Sequence, residues 1–320
     1  MKPFTKLGKA GVLGMNSRNM DFISEYNQRR LYPLVDDKII TKRLAIEAGV
    51  TVPAQYGVIR YPGETELIRD IAKKHPSFVM KPANGSGGGG IMVFNGVAKN
   101  GPRRMNGQIV PWGDVKYQLN NMLSGMFSMG GGSDEVLIEE RLHPHSAFSK
   151  LAFGGVPDVR IIVFRGIPVM SMLRLPTAES DGKANLHQGG VGAGIDLVTG
   201  RTTRGVQHNE SISHHPDFET PVRDFQVPEW PQIMELAARL GQHVGLGYVG
   251  VDVVVCENKG PTLLELNARP GIAIQTANMR GLKPLLIPVR DLEAIPDDPL
   301  ERVKLAEANW RGEPIAYPAR

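Results

Sequence analysis

Apolar residues recur at helical spacing in several parts of the chain. The segment DDKIITKRLAIEAG, which starts at Asp36, has acids before its apolar stripe and a glycine after it, which predicts a capped helix. ETELIRDIAKKH and PEWPQIMELAARLGQHVG repeat the spacing and predict two more helices. A fourth is predicted from Asp114 to Phe127, ahead of a flexible break at glycines 130–132.

Short runs of β-branched and aliphatic residues alternate with these helices and predict strands. The runs are VPAQYGVIR, SFVMKP, IMVF, EVLIEERL, VRIIVF, IPVMSMLRL, YVGVDVVVCE and PTLLELNARPG. Residues 1–35 have only short apolar pieces, and much of the polar stretch 177–220 is expected to be loop. Because strand pairs join at glycine turns and no dinucleotide fingerprint occurs, the pattern indicates an α+β fold.

Composition narrows the class of protein. With 320 residues, 41% of them hydrophobic, the chain can build one body of two or three subdomains. No run approaches the roughly 20 apolar residues that span a bilayer, and no export signal is evident, so we expect a soluble, cytoplasmic protein. The net charge of +4 suits an anionic substrate, but no basic block indicates nucleic acid.

Cys256 is the single cysteine. It excludes an intramolecular disulfide and a cysteine-based zinc site. Because it lies in the apolar run VGVDVVVC, we expect a buried structural thiol.

A glycine-rich loop follows Lys81 at the end of a predicted strand. Five of the six residues from Gly85 to Gly90 are glycine. Such a loop lets backbone N–H groups approach phosphate oxygens, and a nearby lysine adds a point charge. A hairpin with a loose turn would have the same sequence, so the loop alone does not decide between them.

Acidic and amide side chains interrupt the last two predicted strands. Asp252 lies in VGVDVVV, and Glu265 and Asn267 are two residues apart in TLLELNARPG, so they share a face. Two carboxylates and an amide oxygen form a hard oxygen site that suits Mg²⁺; the alternative is a solvent-facing polar strip. Arg269 would share that face if the strand continued, and could bind phosphate or a carboxylate.

Three further sets of polar residues are candidates. Asp158 and Arg160 have the same two-residue spacing, and a surface ion pair is their alternative interpretation. Glu139 and Glu140 are adjacent in a strand and so face opposite ways, one toward a ligand and the other toward solvent or a lysine. His187 lies among glycines in a polar loop that could close over a site.

Seven motifs between about residues 36 and 276 resemble those of ATP-grasp ligases and occur in the same order. They are DDKIITK, FVMKPANGSGGGG, VLIEERL, PDVR, ANLHQGG, GVDVVV and LELNARPG. The chain is most similar to RimK-related alpha-L-glutamate ligase-like proteins and is also similar to sugar-transferase-associated ATP-grasp proteins. It departs from RimK-type ligases because only 35 residues precede the DK motif, where they have a longer domain. That domain usually helps to bind the acceptor.

The resemblance implies an ATP-grasp fold in which two α+β subdomains hold ATP between them. The implied organisation is an N-terminal arm or reduced subdomain (1–35), an N-terminal ATP-grasp subdomain with the glycine lid (36–142), a C-terminal subdomain with the magnesium site (143–290) and an extension (291–320). The implied nucleotide contacts are Lys38, Lys81, Gly87, Gly88, Glu139, Glu140, Arg141, Leu142, Asp158, Lys183 and Asn185. The implied metal ligands are Asp252, Glu265 and Asn267, for Mg²⁺ or alternatively Mn²⁺.

The resemblance also implies the activity. Lys81, Arg160 and Arg269 would be catalytic, and His187 and Arg269 would contact substrate. The expected reaction is ADP-forming ligation of a carboxylate to an amine through an acyl phosphate, on small molecules or peptides, with glutamate as one candidate substrate. Two alternatives are a phosphotransferase without an amine acceptor and a non-catalytic ATP-binding partner subunit. The sequence does not determine the oligomeric state.

Overall fold

The computed structural model describes residues 7–85, 87–128 and 130–317, and these form two compact units. The five-strand unit comprises residues 36–43 and 52–143. The seven-strand unit comprises the described parts of 1–35, 44–51 and 144–320. The chain passes from the five-strand unit to the seven-strand unit within helix α1 (Lys38–Glu47).

The five-strand unit is an antiparallel sheet with strands in the order β1-β5-β2-β3-β4. Its strands are β1 (Gln55–Ile59), β2 (Ser77–Pro82), β3 (Met92–Ala98), β4 (Gly101–Arg104) and β5 (Val136–Glu140). Helices α2 (Leu67–Lys74) and α3 (Trp112–Leu123) and a 3₁₀ turn, Pro62–Glu64, complete it. Apolar side chains from both helices pack with Phe78, Phe94 and Ile138 of the sheet in one core. The two predicted helices and the predicted strands β1, β2, β3 and β5 are confirmed, whereas β4 was not predicted.

The seven-strand unit is a second antiparallel sheet, ordered β10-β9-β8-β7-β6-β11-β12. Its strands are β6 (Asp158–Phe164), β7 (Ile167–Leu175), β8 (Val191–Ile195), β9 (Thr202–Gln207), β10 (Glu210–Ile212), β11 (Tyr248–Cys256) and β12 (Gly260–Asn267). Its helices are α4 (Trp230–His243), α5 (Ile274–Asn278), α6 (Lys283–Arg290) and α7 (Pro299–Arg311), with 3₁₀ turns at Ser146–Phe148 and Leu186–Gln188. Cys256 is buried, as predicted.

Much of the stretch 177–220 lies outside helices and strands, as predicted, but it also contains β8, β9 and β10, which were not predicted. The signal was weak because β8 reads VGAGI, where glycines replace the larger residues that mark a strand. Those glycines have a packing reason. A Cβ on Gly194 would lie 2.6 Å from the carbonyl oxygen of Ala277 in α5, so only glycine permits this close approach.

The N-terminal segment packs onto the seven-strand sheet through short helical turns. These are Met15–Ser17, the π-helical turn Arg18–Ile23, Ser24–Tyr26, the 3₁₀ turn Arg29–Leu31, and Pro33–Asp36. The Phe22 and Tyr26 rings meet Phe164 edge-on at centroid distances of 5.4 and 4.8 Å. Asn27 exchanges hydrogen bonds of 2.7 and 2.8 Å with the backbone of Tyr248, which anchors the segment to β11.

Helices capable of crossing a membrane are absent from the described parts of the chain, because none combines sufficient length with sufficient apolar character.

Candidate active site

Six polar side chains share one face of the seven-strand sheet, across four neighbouring strands. Arg160 of β6 is paired with Asp252 of β11, and Asp252 is paired with Glu265 of β12. The other three are Arg174 of β7, Asp158 of β6 and Asn267 of β12, each on the same face by register. We call these six residues the acidic row. The strand pair predicted for Asp252 and Glu265 is confirmed.

Two arginines hold Asp252, whose side chain is fully buried. Arg160 donates from Nε to Oδ1 at 2.7 Å and from Nη2 to Oδ2 at 2.5 Å, a bidentate geometry. Arg174 Nη2 donates to the same Oδ2 at 2.7 Å. Burial alone would raise the pKa of Asp252, but the guanidinium groups of Arg160 and Arg174 outweigh burial and bring that pKa well below its usual range.

Arg174 also forms an ion pair with Asp158. The alternative interpretation of Asp158 as part of a surface ion pair is wrong, because Asp158 is buried. Arg174 Nε donates to Asp158 Oδ1 at 2.6 Å. Burial raises the pKa of Asp158 to about 6, because the attraction of Arg174 offsets only part of the desolvation. Arg174 was not predicted as a site residue from the sequence. The available signal was a single charge in the apolar run IPVMSMLRL.

Two oxygens of the acidic row are open to a cation. Within the described chain, Glu265 Oε2 and Asn267 Oδ1 accept no hydrogen bond, while Asn267 Nδ2 donates to Asp252 Oδ2 at 3.3 Å and to Glu265 Oε1 at 3.4 Å. Three carboxylates face two guanidinium groups, so the row carries excess negative charge when all three are ionised. Groups of three or more His, Cys, Asp or Glu side chains arranged around one metal position do not occur among the described residues. The carboxylate oxygen of Glu265 and the amide oxygen of Asn267 are of the chemical type that Mg²⁺ takes when phosphate or water completes its set of ligands.

A second buried charge cluster lies in the five-strand unit. Glu139 Oε2 accepts from Lys42 Nζ at 2.5 Å, and Lys81 Nζ forms an ion pair with Glu139 Oε1. Lys42 also donates to the carbonyl of Pro53 at 2.6 Å. Burial alone would raise the pKa of Glu139, but the two ammonium groups outweigh burial and hold that pKa below its usual range. Lys42, Lys81 and Glu139, which we call the lysine cluster, carry an excess positive charge.

The glycine-rich loop is held at its base by polar contacts. Lys38 Nζ donates to the carbonyl of Gly85 at 2.5 Å. Asp134, which was not predicted from the sequence, accepts hydrogen bonds from the backbone and side-chain nitrogens of Asn84 at 3.1 and 2.9 Å and from Ser128 Oγ at 2.5 Å. Only its position between a glycine stretch and the strand EVLIEE could have indicated it.

The loop itself contains glycines that need a left-handed backbone. Gly87 and Gly88 have φ values of +63° and +78°. Added Cβ atoms would meet nothing within 4 Å, so backbone conformation, not crowding, requires glycine there.

The three residues that follow Glu139 differ in their surroundings. Glu140 Oε2 accepts from the backbone N–H of Ala54 at 2.9 Å, so the two adjacent glutamates do face different surroundings. Arg141 Nε donates to Ser77 Oγ at 2.8 Å, and Leu142 is buried.

The remaining candidates lie apart from the acidic row in their contacts. Asn185 caps the turn Leu186–Gln188 through a 3.0 Å hydrogen bond from the His187 backbone N–H, and Lys183 and His187 are both exposed. Within the described chain, no hydrogen bond or ion pair joins these residues to the acidic row. Strand β12 ends at Asn267, so Arg269 lies in the following loop, with its guanidinium carbon 5.3 Å from the Tyr32 ring centroid.

Several solved structures are similar to this chain. A biotin carboxylase complex from Campylobacter jejuni is 16% identical, with 96% of this chain and 55% of that chain covered and a TM-score of 0.50. The ATP-grasp ligase PsnB with minimal precursor, Mg and ADP is 15% identical, with coverage of 87% and 62% and a TM-score of 0.43. The D-cycloserine synthetase DcsG is 16% identical, with coverage of 88% and 72% and a TM-score of 0.42.

At 16% identity, the likeness to the biotin carboxylase concerns the fold alone. The chain spans only 56–62% of PsnB in its different complexes, and no curated protein matches it. A family description, sugar-transfer associated ATP-grasp, matches residues 17–291. Because that match includes β1 to β12 and both charge clusters, the chain has the ATP-grasp fold and belongs to the sugar-transfer associated ATP-grasp family.

Proposed function

We propose that this protein is an ATP-dependent ligase that activates a carboxylate as an acyl phosphate and joins it to an amine, with release of ADP. The observation that carries the proposal is the acidic row. It places Asp252, Glu265 and Asn267 oxygens beside Arg160 on neighbouring strands of one sheet. A phosphoryl-transfer site needs cation ligands and a positive group in such proximity.

In this proposal, Glu265 and Asn267 supply open oxygens for Mg²⁺, with Mn²⁺ as an alternative. Asp252, which is bonded to Arg160 and Arg174, supports these two residues from the neighbouring strand. When bound, the cation neutralises charge on phosphate oxygens. Arg160 keeps Asp252 ionised and in position through its bidentate contact, and its Nη2 lies 3.7 Å from Glu265 Oε1. Arg269 offers a second guanidinium to the transferred phosphoryl group or to the substrate.

The lysine cluster supplies the positive charge for the nucleotide. We propose that Lys81 contacts phosphate, that Lys38 and the glycines at 87 and 88 position the loop over it, and that Glu140, Arg141 and Leu142 border the adenine. Asp158 would support the nucleotide site, together with Lys183 and Asn185. The glycine loop would exclude water, because an acyl phosphate hydrolyses readily.

The chemical steps balance without a side-chain nucleophile. A carboxylate oxygen bonds to the γ-phosphorus of ATP as the bond to the β–γ bridging oxygen breaks, which releases ADP. The amine then bonds to the acyl carbon, phosphate leaves, and the amine nitrogen loses one proton. Glutamate is the candidate for one of the two substrates.

The reaction can be tested by ADP release from Mg-ATP with pools of amino acids, organic acids and short acidic peptides, with and without hydroxylamine. We expect substrate-dependent ADP and a hydroxamate mass that names the carboxylate, because hydroxylamine traps acyl phosphates. A stable phosphorylated product without hydroxamate would indicate a phosphotransferase instead. ATP binding without ADP from any pool would favour a missing partner substrate or the non-catalytic partner subunit.

Cys256 provides a further prediction. Because the mechanism uses no thiol and Cys256 is buried in β11, we expect Cys256→Ala to turn over ATP within about two-fold of the wild-type rate and to lose only about 1 kcal/mol of stability. Steady-state ADP release and urea unfolding measure the two effects. A folded but inactive Cys256→Ala protein would contradict the mechanism.

A further inference from the structure

A pocket of about 720 Å³ lies in the seven-strand unit, where the N-terminal segment meets the loop after β12. Its polar lining includes Arg18, Asn19, Arg29, Tyr32 and Arg269. None of the lining residues is Asp or Glu. We call this the arginine pocket.

Two of its three arginines are held in place by neighbouring groups. Arg18 is 8% exposed, and its Nη1 donates to the carbonyl of Pro270 at 2.8 Å. Its Nε and Nη2 both donate to Asn19 Oδ1, at 3.1 and 2.8 Å. The guanidinium carbon of Arg269 lies over the Tyr32 ring, 5.3 Å from its centroid. Neutral partners hold a guanidinium group in place without compensating its charge, so the group can still pair with an anionic ligand.

The positive charge of the pocket is not neutralised within the part of the chain that the structure describes. There, no carboxylate lies within ion-pair distance of Arg18, Arg29 or Arg269, although many other arginines of the same unit have such partners. Three guanidinium groups around one cavity favour an anion, and more than one acidic group is needed to match them.

We infer that the arginine pocket binds the acid substrate, and that this substrate is an organic diacid. The inference rests on the proposed ligase function and assigns a role to the N-terminal segment. Arg269 follows the metal-ligand candidate Asn267 by two residues, and Arg18 is bonded to the next residue, Pro270. One acidic group of the ligand therefore lies at Arg269, where it is activated, and the second pairs with Arg18 and Arg29.

The size of the pocket agrees with a ligand larger than a lone carboxylate. Small-molecule sites range from roughly 300 to 1,000 Å³, and this pocket falls within that range. A second acidic group at a distance from the first would let the three arginines act together, and would give selectivity over monoacids and monoamides.

The inference can be tested by calorimetry without ATP or Mg²⁺. The affinities of the protein for glutarate, L-glutamate and citrate are compared with its affinities for the amides glutaramate and L-glutamine. We expect at least one diacid or triacid to bind with a Kd below about 10 mM, and its monoamide to bind at least about ten-fold more weakly. Arg29→Gln should weaken the acid by about ten-fold. Binding by none of the acids, or equal binding by acid and monoamide, would overturn the inference.

Arg30→Gln is the matched control. Arg30 is exposed, adjacent to Arg29, outside the pocket lining, and bonded through Nε to Gln28 Oε1 at 2.8 Å. It removes the same charge, so we expect affinity within about two-fold of the wild type. Equal losses in Arg29→Gln and Arg30→Gln would show only general charge attraction and would refute the site. Diacid binding without ADP release would refute the proposed ligase function but not the diacid site. A hydroxamate formed only from monoacids would refute the diacid inference but not the ligase function.

Discussion

Glu265→Gln is expected to lower the rate of Mg-ATP turnover by about 10³-fold while the protein stays folded. The substitution keeps the shape of the side chain and removes the charge that a cation needs. Its side chain is 34% exposed, and its nearest cation is Arg160 Nη2 at 3.7 Å, so little folding energy depends on it. The free energy of unfolding should change by less than about 1 kcal/mol.

Asp252 would be the poorer test, although the sequence gives the two acids equal weight. It is fully buried and both of its oxygens are bonded to arginines. Asp252→Asn would leave Arg160 and Arg174 without that charge, at a cost of about 3–5 kcal/mol. Loss of activity there would combine loss of metal binding with loss of structure.

The Glu265 prediction is measured as ADP release across a Mg²⁺ titration, together with urea unfolding. Glu210→Gln is the matched control, because Glu210 is an exposed acid on β10 of the same sheet and lies outside the acidic row. It should retain the wild-type rate. If Glu265→Gln kept both the rate and the Mg²⁺ dependence of the wild type, the metal assignment would have to be abandoned.

The central strand pair of the acidic row was predictable because its register is set locally. Strands β11 and β12 are joined by a short turn that ends at Gly260, so the pairing of Asp252 with Glu265 follows from residue counting. The glycine loop was predictable for a similar reason, because it directly follows Lys81 in the sequence. The ATP-grasp fold followed from short motifs in a fixed order, each of which spans a single turn or strand.

The partners that come from distant strands and helices were not predictable. Lys42 reaches Glu139 across 97 residues, and Arg174 reaches Asp252 across 78. No local pattern states which sheet neighbour a lone charge will meet, because that depends on strand order and helix placement. The arginine pocket has the same origin, since Arg18 and Pro270 are 252 residues apart.

Glu139→Gln is expected to cost about 3–5 kcal/mol of folding free energy, a large effect for a substitution that preserves side-chain shape. Glu139 is 3% exposed and is the shared carboxylate of Lys42 and Lys81, which are nearly as buried. The amide would leave two buried ammonium groups without an opposing charge, and one neutral acceptor does not offset their desolvation. Urea unfolding gives the size of the loss, and amide hydrogen exchange in β2 and β5 localises it to the five-strand unit.

Glu135→Gln serves as the control for that experiment. Glu135 directly precedes β5, but its side chain is 40% exposed and its ion pair with Arg60 is a surface contact, so the loss should be about 1 kcal/mol or less. Adding Lys42→Met to Glu139→Gln removes one uncompensated cation and should restore about 1–2 kcal/mol. A Glu139→Gln protein as stable as Glu135→Gln would contradict the lysine cluster as a buried charge network. If the double variant were less stable to urea than Glu139→Gln alone, Lys42 would be held by the Pro53 carbonyl and not chiefly by Glu139.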